Sequence, residues 1–237
     1  MAQDFNLFDA EDQLAEECRA LLDAGGLSDA CAAALAKMLA GYERLLRETK
    51  QLIRLSDRRE HDLNRLNKKL EQLTHSLAYQ AEHDFLTGCL NKGAMTARLS
   101  EALATRDCGL IILDIDHFKH VNDQHGHPAG DAVLRGLAEI MQEMLGSDDH
   151  LGRIGGEEFA ILLQQPTLIQ AKAFAERLRR AVEASAIDAG AQPLRITVSL
   201  GVTPCRQGEP FAAAYGRADE ALYAAKTSGR NRVESRE

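Results

Sequence analysis

The sequence CGLIILDID, residues 108–116, contains a short apolar run that is typical of a strand buried on both faces. The run ends in two acids, Asp114 and Asp116. A second stretch, HLGRIGGEEFAILL at residues 150–163, predicts two strands joined by a Gly-Gly pair, since glycine suits a tight hairpin. The two stretches together predict neighbouring strands that bring acidic residues to one edge of a sheet.

The chain beyond residue 81 alternates between short helices and strands. Apolar residues at helical spacing predict three helices, and a further apolar stretch predicts another strand. These helices are at 129–145, 168–184 and 211–227, and the strand is at 194–202. The order of the elements indicates an α+β fold, with helices over an antiparallel-centred sheet whose central strands form the Gly-Gly hairpin.

Three acids stand at the predicted strand ends, namely Asp114, Glu157 and Glu158. If the strands are neighbours, repulsion between the carboxylates is unfavourable unless a hard cation lies between them. Mg²⁺ prefers oxygen ligands of this kind and usually keeps waters and substrate phosphates as well. The alternative is that Asp114 caps a turn and that the two glutamates are surface charges. The residues by themselves leave both interpretations open.

Residues 35–80 carry a heptad pattern in which mostly apolar positions recur at alternating gaps of three and four. Such a repeat keeps one seam of a helix facing a partner and predicts a coiled-coil stalk that pairs two copies of the chain. The alternative is a long helix that folds back on its own domain. The polar residues Ser56 and Arg59 in the middle of the seam keep that alternative open.

The segment before the stalk, residues 1–34, is acidic and is predicted to be helical, with a break at Gly25-Gly26 and a new helix start at Ser28. Basic residues concentrate instead at 44–69. They alternate with acids at helical spacing, which favours a solvated helix face over a phosphate-binding patch.

The composition argues against several classes of protein. The 237 residues carry a net charge of −8, and an acidic main body argues against a nucleic-acid-binding protein. The sequence has no apolar run of about 18 residues that would predict a membrane span, and residues 1–4 lack the start of a signal peptide. Five cysteines without C-x-x-C spacing argue against a disulfide framework or a structural zinc site. We therefore expect a cytoplasmic protein.

Four stretches occur in a characteristic order in the C-terminal part of the chain. They are DFLTGCLN at 84–91, DIDHFKHVNDQHGHPAGD at 114–131, RIGGEEF at 153–159 and RADEALYAAKTSGRN at 217–231. Together they resemble the motifs of the GGDEF-domain diguanylate cyclases, in the GGEEF spelling. The resemblance implies a cyclase domain over 81–237 with a fold like the palm of nucleotide polymerases and nucleotidyl cyclases. It also implies synthesis of cyclic di-GMP from two GTP molecules, with release of two pyrophosphates.

The resemblance implies a metal site at the acidic edge. Asp114, the backbone carbonyl of Ile115, Glu157 and Glu158 match positions that hold Mg²⁺, for which Mn²⁺ is a substitute. One of the glutamates, with Glu157 favoured, would help to remove the proton of the attacking 3′ hydroxyl. The sequence leaves open which glutamate acts as the base, and both could be ligands only, with water as the acceptor.

Three basic residues match positions that contact the triphosphate or stabilise developing charge, and the resemblance assigns them that role. They are Lys119, Lys226 and Arg230, of which Lys119 counts among the catalytic residues. Taken singly, each could equally be a solvated surface residue.

The resemblance further implies that Asn122 and Asp131 recognise guanine. A carboxylate accepts from the N1–H and the 2-amino group of guanine, whereas adenine offers an acceptor at N1. The alternative for Asp131 is the N-cap of a helix that begins at residue 132, and the residue could serve both roles. His127 matches a position near the ribose and the base.

One stretch departs from the family pattern. Many members carry an inhibitory R-x-x-D motif that binds product, but the corresponding residues here are GSDD at 146–149. Gly146 replaces the arginine, and without a guanidinium group the site loses its bidentate contacts. We therefore expect no product inhibition through this site.

These observations predict a Mg²⁺-dependent diguanylate cyclase that is active as a dimer, assembled or oriented through its N-terminal helices. The substrate is GTP, and a regulatory protein that binds the N-terminal helical region is a further expected partner. Each domain holds one GTP, so two domains have to face each other. Two alternatives stay open: a catalytically silent receptor for GTP or cyclic di-GMP, and a coiled-coil signalling adaptor.

Overall fold

The computed structural model of the chain describes residues 7–26, 28–190 and 192–237, so residues 1–6 and 27 of the predicted N-terminal segment lie outside the described residues. Two compact units, Met1–Thr74 and His75–Glu237, make up the chain. The helices are α1 Asp9–Asp23, α2 Asp29–Glu82, α3 Lys92–Thr105, α4 Phe118–His125, α5 His127–Met144, α6 Leu168–Ala184 and α7 Phe211–Thr227. The strands are β1 Leu90–Asn91, β2 Cys108–Ile115, β3 His150–Arg153, β4 Glu158–Gln164, β5 Ile187–Asp188, β6 Pro193–Leu194, β7 Val198–Cys205 and β8 Val233–Ser235. None of the helices within the described ranges has an apolar stretch long enough for a membrane crossing.

The first unit contains α1 and most of α2, and two ion pairs join these helices. Arg19 on α1 pairs with Glu43 on α2, and Lys50 Nζ on α2 lies 2.5 Å from Asp12 Oδ2 on α1. The contacts link residues that are 24 and 38 positions apart in the sequence. Helix α1 therefore packs along the N-terminal part of α2.

A break separates α1 from α2, as the sequence predicts. Gly25 and Gly26 have φ angles of +71° and +102°, a region that glycine adopts without the steric cost of a Cβ. Helix α2 begins at Asp29, directly after the predicted start at Ser28. The predicted helical character of the acidic segment is confirmed over Asp9–Asp23.

Helix α2 runs without interruption from Asp29 to Glu82 and covers the whole of the predicted heptad segment. Most of the apolar side chains on its seam are more than half exposed. They are Met38, Leu45, Leu52, Leu63, Leu66, Leu70, Leu73 and Leu77. Because burial of apolar surface is favourable by roughly 25 cal/mol per Å², the exposed seam fits a helix that pairs with a second chain. The pairing itself stays a prediction.

Strand β2 lies at the centre of a six-stranded sheet with the order β1-β3-β4-β2-β7-β8. It pairs antiparallel with β4 on one side and with β7 on the other, whereas the edge strands β1 and β8 pair in parallel with their neighbours. Every residue of β2 is buried, which accounts for its continuous apolar run. The predicted α+β fold with an antiparallel-centred sheet flanked by helices is confirmed.

The Gly-Gly hairpin forms as predicted, between β3 and β4, but it is not the centre of the sheet. Only β4 is central, and its other neighbour is β2. Strand β3 has four residues, and its outer neighbour is the two-residue β1. The prediction that both central strands come from the hairpin is wrong, because the fully buried β2 takes the central place beside β4.

Helices cover both faces of the sheet. The side chains of β2 point alternately to the two faces, so each face has an apolar core for helices to pack on. Ile111, Leu113 and Ile115 belong to the apolar core beneath α5 and α6. Leu110 and Ile112 belong to the second core, beneath α3 and α7. The end of β2 is therefore held from four sides, by two strands and by two layers of helices.

Two predicted element boundaries are wrong. The strand predicted at 194–202 is divided, since β6 pairs with β5 in a separate small sheet and β7 begins only at Val198. The helix predicted at 129–145 starts earlier, at His127, because Pro128 is compatible with the first turn of a helix. Asp131 therefore lies inside α5, and its suggested role as an N-cap is wrong.

The close approach of α7 to β7 depends on Gly201. A Cβ at this position would lie 2.2 Å from the Ala218 carbonyl oxygen and 2.3 Å from the Leu222 nitrogen, both backbone atoms that cannot move aside.

We predict that Gly201→Ala lowers the free energy of unfolding by about 3 kcal/mol through overpacking. The control is Gly216→Ala on α7, which meets nothing within 4 Å and should stabilise the helix by about 0.5–1 kcal/mol. Urea unfolding of the full chain measures both, and equal stabilities would contradict the close packing.

Candidate functional site

The three predicted acids meet at the end of β2. In the pairing of β2 with β4, Asp114 stands directly opposite Glu158. The Ile115 N–H donates to the Glu157 carbonyl oxygen at 3.4 Å, which ties the residue before β4 to the end of β2. The structure thus brings Asp114, Ile115, Glu157 and Glu158 to one end of the sheet, and their role as metal ligands stays a prediction.

The turn before these glutamates depends on one of its two glycines. A Cβ at Gly155 would lie 2.5 Å from Glu158 Oε2, whereas a Cβ at Gly156 would meet nothing within 4 Å. The N–H groups of Ile154 and Gly155 both donate to the Glu158 carbonyl oxygen, at 2.9 and 3.2 Å. Gly155 therefore leaves the space into which the Glu158 side chain folds.

The carboxyl groups at this edge are destabilised in their charged forms. Burial raises the pKa of Asp114, and the hydrogen bond from Lys226 lowers it by less, so the pKa lies above its ordinary value. Burial also raises the pKa of Glu157, and the charge of Asp114 raises it further. Lys226 Nζ lies 2.8 Å from Asp114 Oδ2 and provides a positive charge at the site.

The donor set suits a hard cation. It consists entirely of oxygen atoms, and the raised pKa values indicate that the carboxylates lack sufficient positive charge around them. Across the described ranges, no group of three or more His, Cys, Asp or Glu side chains is arranged to hold a metal ion on its own. A cation here would therefore also need the Ile115 carbonyl and ligands from a bound molecule, which is how Mg²⁺ is usually held.

The basic residues occupy different environments around this edge. Lys226, near the end of α7, is half-buried and paired with Asp114. Lys119, in the first turn of α4, and Arg230, just beyond α7, are both exposed. Arg230 has a φ angle of +60°, which is uncommon for a residue with a side chain.

The predicted guanine-reading residues lie on two helices that contact each other closely. Asn122 is on α4 and Asp131 is on α5. A Cβ at Gly130 would lie 1.9 Å from Asn122 Oδ1, so glycine at 130 is what allows the two helices to approach at this point. Asp131 is exposed, and His127 is exposed at the start of α5. The structure thus brings Asn122 next to the helix that carries the other two residues.

Sequence reasoning missed a connection that involves Asp84 and Arg153. Asp84 follows the end of α2, and Arg153 Nη1 donates to its Oδ1 at 3.1 Å. Arg153 Nη2 donates to the Gly156 carbonyl oxygen at 2.6 Å. Both residues stand in the quoted motifs, but their pairing across 69 positions has no local signal. The pair links the residues after α2 to the turn that carries Glu157.

The residues at the predicted product-binding stretch have structural contacts. Asp149 accepts from the Gly146 N–H at 3.0 Å through Oδ2 and from the Gln164 N–H at 3.1 Å through Oδ1. Both of its carboxylate oxygens therefore stabilise the loop before β3 and its junction with β4. The expectation that the stretch is not a product site stays a prediction.

The fold and this edge are those of an α+β domain in which a buried carboxylate, two adjoining glutamates and basic residues converge. The family model for "Diguanylate cyclase, GGDEF domain" matches residues 81–232, and the chain belongs to this GGDEF family. The chain is 43% identical over 156 residues to diguanylate cyclase DgcP of Pseudomonas aeruginosa. The matched region covers 64% of this chain and 23% of DgcP. It spans only 23% to 58% of the length of the curated relatives that it matches.

Solved structures with similar folds include one with a coiled coil and one in complex with an activator. The coiled coil and GGDEF domain of DgcB from Caulobacter crescentus, in complex with c-di-GMP, matches with a TM-score of 0.71 and 30% identity, covering 76% of this chain and 98% of that one. Diguanylate cyclase SiaD in complex with its activator SiaC, from Pseudomonas aeruginosa, matches with a TM-score of 0.64 and 34% identity, covering 96% and 99%. The likeness to SiaD therefore extends over almost the whole of both chains.

The link between Asp84 and Arg153 makes a prediction about acid stability. Burial raises the pKa of Asp84, but hydrogen bonds from Thr87 and Arg153 outweigh burial and leave the pKa below its ordinary 3.8. A carboxylate with a lowered pKa stabilises the fold above its unfolded-state pKa, and this contribution is lost as the pH falls through the folded-state value. We expect Asp84→Asn to lower the free energy of unfolding by about 1–3 kcal/mol at pH 7, with a difference from wild type that shrinks below about pH 4.

The measurement is urea unfolding at pH 7, 5 and 3. The matched control is Asp219→Asn on the exposed side of α7, which should have little effect at any of these pH values. An Asp84→Asn deficit that stays constant down to pH 3 would mean that the charge of Asp84 does not provide the stabilisation.

Proposed function

We propose that the chain is a diguanylate cyclase that condenses two GTP molecules into cyclic di-GMP and releases two pyrophosphates. The observation that carries the proposal is the pairing of Asp114 with Glu158 across β2 and β4, with Lys226 at 2.8 Å from Asp114, inside a domain of the GGDEF family. A bond between a 3′ oxygen and an α-phosphorus requires removal of a proton and neutralisation of charge on the leaving pyrophosphate. The site combines carboxylates for the first task with basic side chains for the second.

The proposed metal ligands are Asp114, the Ile115 carbonyl, Glu157 and Glu158, with Mg²⁺ as the metal and Mn²⁺ as a substitute. When bound, the cation supplies positive charge to the triphosphate and lowers the pKa of the attacking hydroxyl. Glu157 is the favoured proton acceptor, because its raised pKa makes its carboxylate a stronger base than an ordinary glutamate. Glu158 stands opposite Asp114 across the strands, which supports its proposed role as a ligand.

The proposed phosphate-binding residues are Lys119, Lys226 and Arg230. Lys226 holds Asp114 in place through their ion pair and can turn towards the triphosphate when a cation binds the carboxylate. Lys119 and Arg230 are exposed, so their charges stay hydrated until the substrate binds.

The proposed guanine-binding residues are Asn122 and Asp131, with His127 near the ribose. Asn122 is held against α5 by its contact with Gly130, so its amide has a defined place beside Asp131. The Asp131 carboxylate accepts from the N1–H and 2-amino groups of guanine, and adenine lacks both of these donors. An unpaired carboxylate in an occupied site is costly, which gives the site its preference for GTP.

The proposed active form is a dimer of the chain, paired through the seam of α2, with the regulatory input at the N-terminal helical region. The exposed apolar side chains of α2 support this assembly. The structures of DgcB with its coiled coil and of SiaD with its activator SiaC support a helical segment that pairs or receives a partner. Pairing raises the effective concentration of one domain towards the other and so allows two GTP molecules to react.

The first functional prediction concerns Asp114. Incubation of the full chain with GTP and Mg²⁺ should yield cyclic di-GMP and pyrophosphate, measured by chromatography. Asp114→Ala should lower the initial rate by on the order of 10²-fold or more, because charge stabilisation at the reacting phosphate is lost. The control is Glu139→Gln, an exposed acid on α5 that should leave the rate unchanged.

Near-normal turnover by Asp114→Ala would place the metal site elsewhere. A wild-type chain that binds GTP but forms no product would favour the silent receptor. A chain that neither binds nor converts GTP would favour the signalling adaptor.

The second functional prediction concerns the middle of the seam. Arg59 occupies a seam position, where pairing would remove the hydration of its charge. We expect Arg59→Leu to strengthen association and to raise the specific activity several-fold at low protein concentration, since a few kcal/mol shift such an equilibrium. The control is Arg58→Leu, one residue away and off the seam. Light scattering and rates across a dilution series measure both, and equal behaviour of the two variants would contradict pairing through this seam.

A further inference from the structure

Asp116 is a buried carboxylate that receives three hydrogen bonds. It lies just beyond the end of β2 and is 6% exposed. Thr197 Oγ1 donates to its Oδ2 and Ser199 Oγ donates to its Oδ1, both at 2.7 Å. The backbone N–H of Asn231 donates to Oδ2 at 3.0 Å. Asp116 therefore connects the end of β2 both to β7 and to the segment that follows α7.

The charge of Asp116 is not needed to satisfy the two hydroxyl groups. Hydroxyls can rotate to neutral acceptors, and a buried charge is costly unless it is well hydrogen-bonded. A backbone N–H has a fixed direction, and a hydrogen bond to an ionised acceptor is roughly twice as strong as a neutral one. The bond that gains most from the carboxylate is therefore the one from Asn231.

The segment held by this bond has an unusual backbone. Gly229, Arg230 and Asn231 have φ angles of +113°, +60° and +45°, three consecutive residues in the left-handed region. For residues with a side chain this conformation is sterically unfavourable. Such a segment keeps its shape only when surrounding contacts hold it.

The side chain of Asn231 supplies part of that hold. Arg179 Nη1 on α6 donates to Asn231 Oδ1 at 2.7 Å, and Asn231 Nδ2 donates to Glu183 Oε1 at 2.8 Å. Asn231 is thus held by its side chain at α6 and by its backbone at Asp116. Arg230, the residue before it, keeps an exposed side chain.

We propose that Asp116 is a positioning residue that fixes the left-handed segment 229–231 and thereby the direction of Arg230 towards the triphosphate. The inference rests on the proposed function, because it takes Arg230 as a phosphate ligand. Asp116 stands two residues from Asp114, so the same strand end carries the proposed metal ligand and orients a phosphate-binding arginine. Strand β2 in this way sets the distance between Asp114 and segment 229–231.

The test compares two ligands that differ in their phosphates. Titration calorimetry of the full chain measures the Kd of a non-hydrolysable GTP analogue with Mg²⁺ and the Kd of GMP. Asp116→Ala should weaken the analogue about 10-fold and leave GMP nearly unchanged, since only the analogue has the outer phosphates that Arg230 would contact. Arg230→Ala should likewise raise the Kd of the analogue and leave the Kd of GMP nearly unchanged. The double variant should bind the analogue about as weakly as either single variant, because both changes remove the same interaction.

Two further variants separate positioning from general stability. Thr197→Val keeps the side-chain shape and removes one hydroxyl donor to Asp116 without touching segment 229–231, so it should leave the ratio of the two Kd values unchanged. Asp116→Asn keeps an oxygen that can accept from Asn231 but lacks the charge, so it should weaken the analogue less than Asp116→Ala does. If Asp116→Ala does not fold, Asp116→Leu decides in its place, because leucine has a similar size but cannot accept from the Asn231 N–H, and it should weaken the analogue selectively.

Equal weakening of both ligands by Asp116→Ala, or of neither, would overturn the proposal while leaving the proposed function intact. Selective weakening by Thr197→Val to the same extent would also overturn it, since the sheet contact and not the loop contact would then matter. A wild-type chain that binds neither ligand would overturn the proposed function together with this inference.

Discussion

The burial of strand β2 is the constraint on which the rest of the structure depends. Its side chains fill two apolar cores, and its backbone pairs with β4 and β7 along almost its whole length. A shift of one residue in register would exchange the two cores, so the register is strongly specified. The position of Asp114 opposite Glu158 therefore follows from apolar packing several residues away. The strand pairing therefore fixes the backbone position of the acids at the strand end.

Two carboxylates at this strand end, two residues apart, are stabilised in different ways. Asp116 receives three hydrogen bonds from the protein and so is satisfied within the fold. Asp114 has the Lys226 ion pair, yet burial still raises its pKa above the ordinary value. A buried charge with incomplete compensation is characteristic of a group that serves a ligand and not the fold. Asp114 and Asp116 thus differ in how fully the donors around each one compensate its charge.

Glycines opposite two of the proposed site residues leave room for their side chains. Gly155 leaves room for the Glu158 carboxylate, and Gly130 leaves room for the Asn122 amide. In both places a Cβ would lie within 2.5 Å of a polar atom, so even alanine would displace the neighbouring side chain. The second glycine of the turn, Gly156, has open space around it. Of the two glycines in the turn between β3 and β4, only Gly155 is therefore required for steric reasons.

Patterns within a few residues of each other were enough to predict β2, the Gly-Gly hairpin, the bounds of α6 and α7, and the continuous helix over the heptad segment. These features follow from local periodicity and turn chemistry, and the motif order was enough to indicate the family. Long-range packing determines that β2, and not β3, shares the centre of the sheet with β4, that β7 begins at Val198, and that Arg153 joins Asp84. The bond between Asp116 and Asn231 spans 115 positions, and no local pattern records it. The physical reason is that strand neighbours and buried polar partners are selected by what packs against them, and those partners are distant in the sequence.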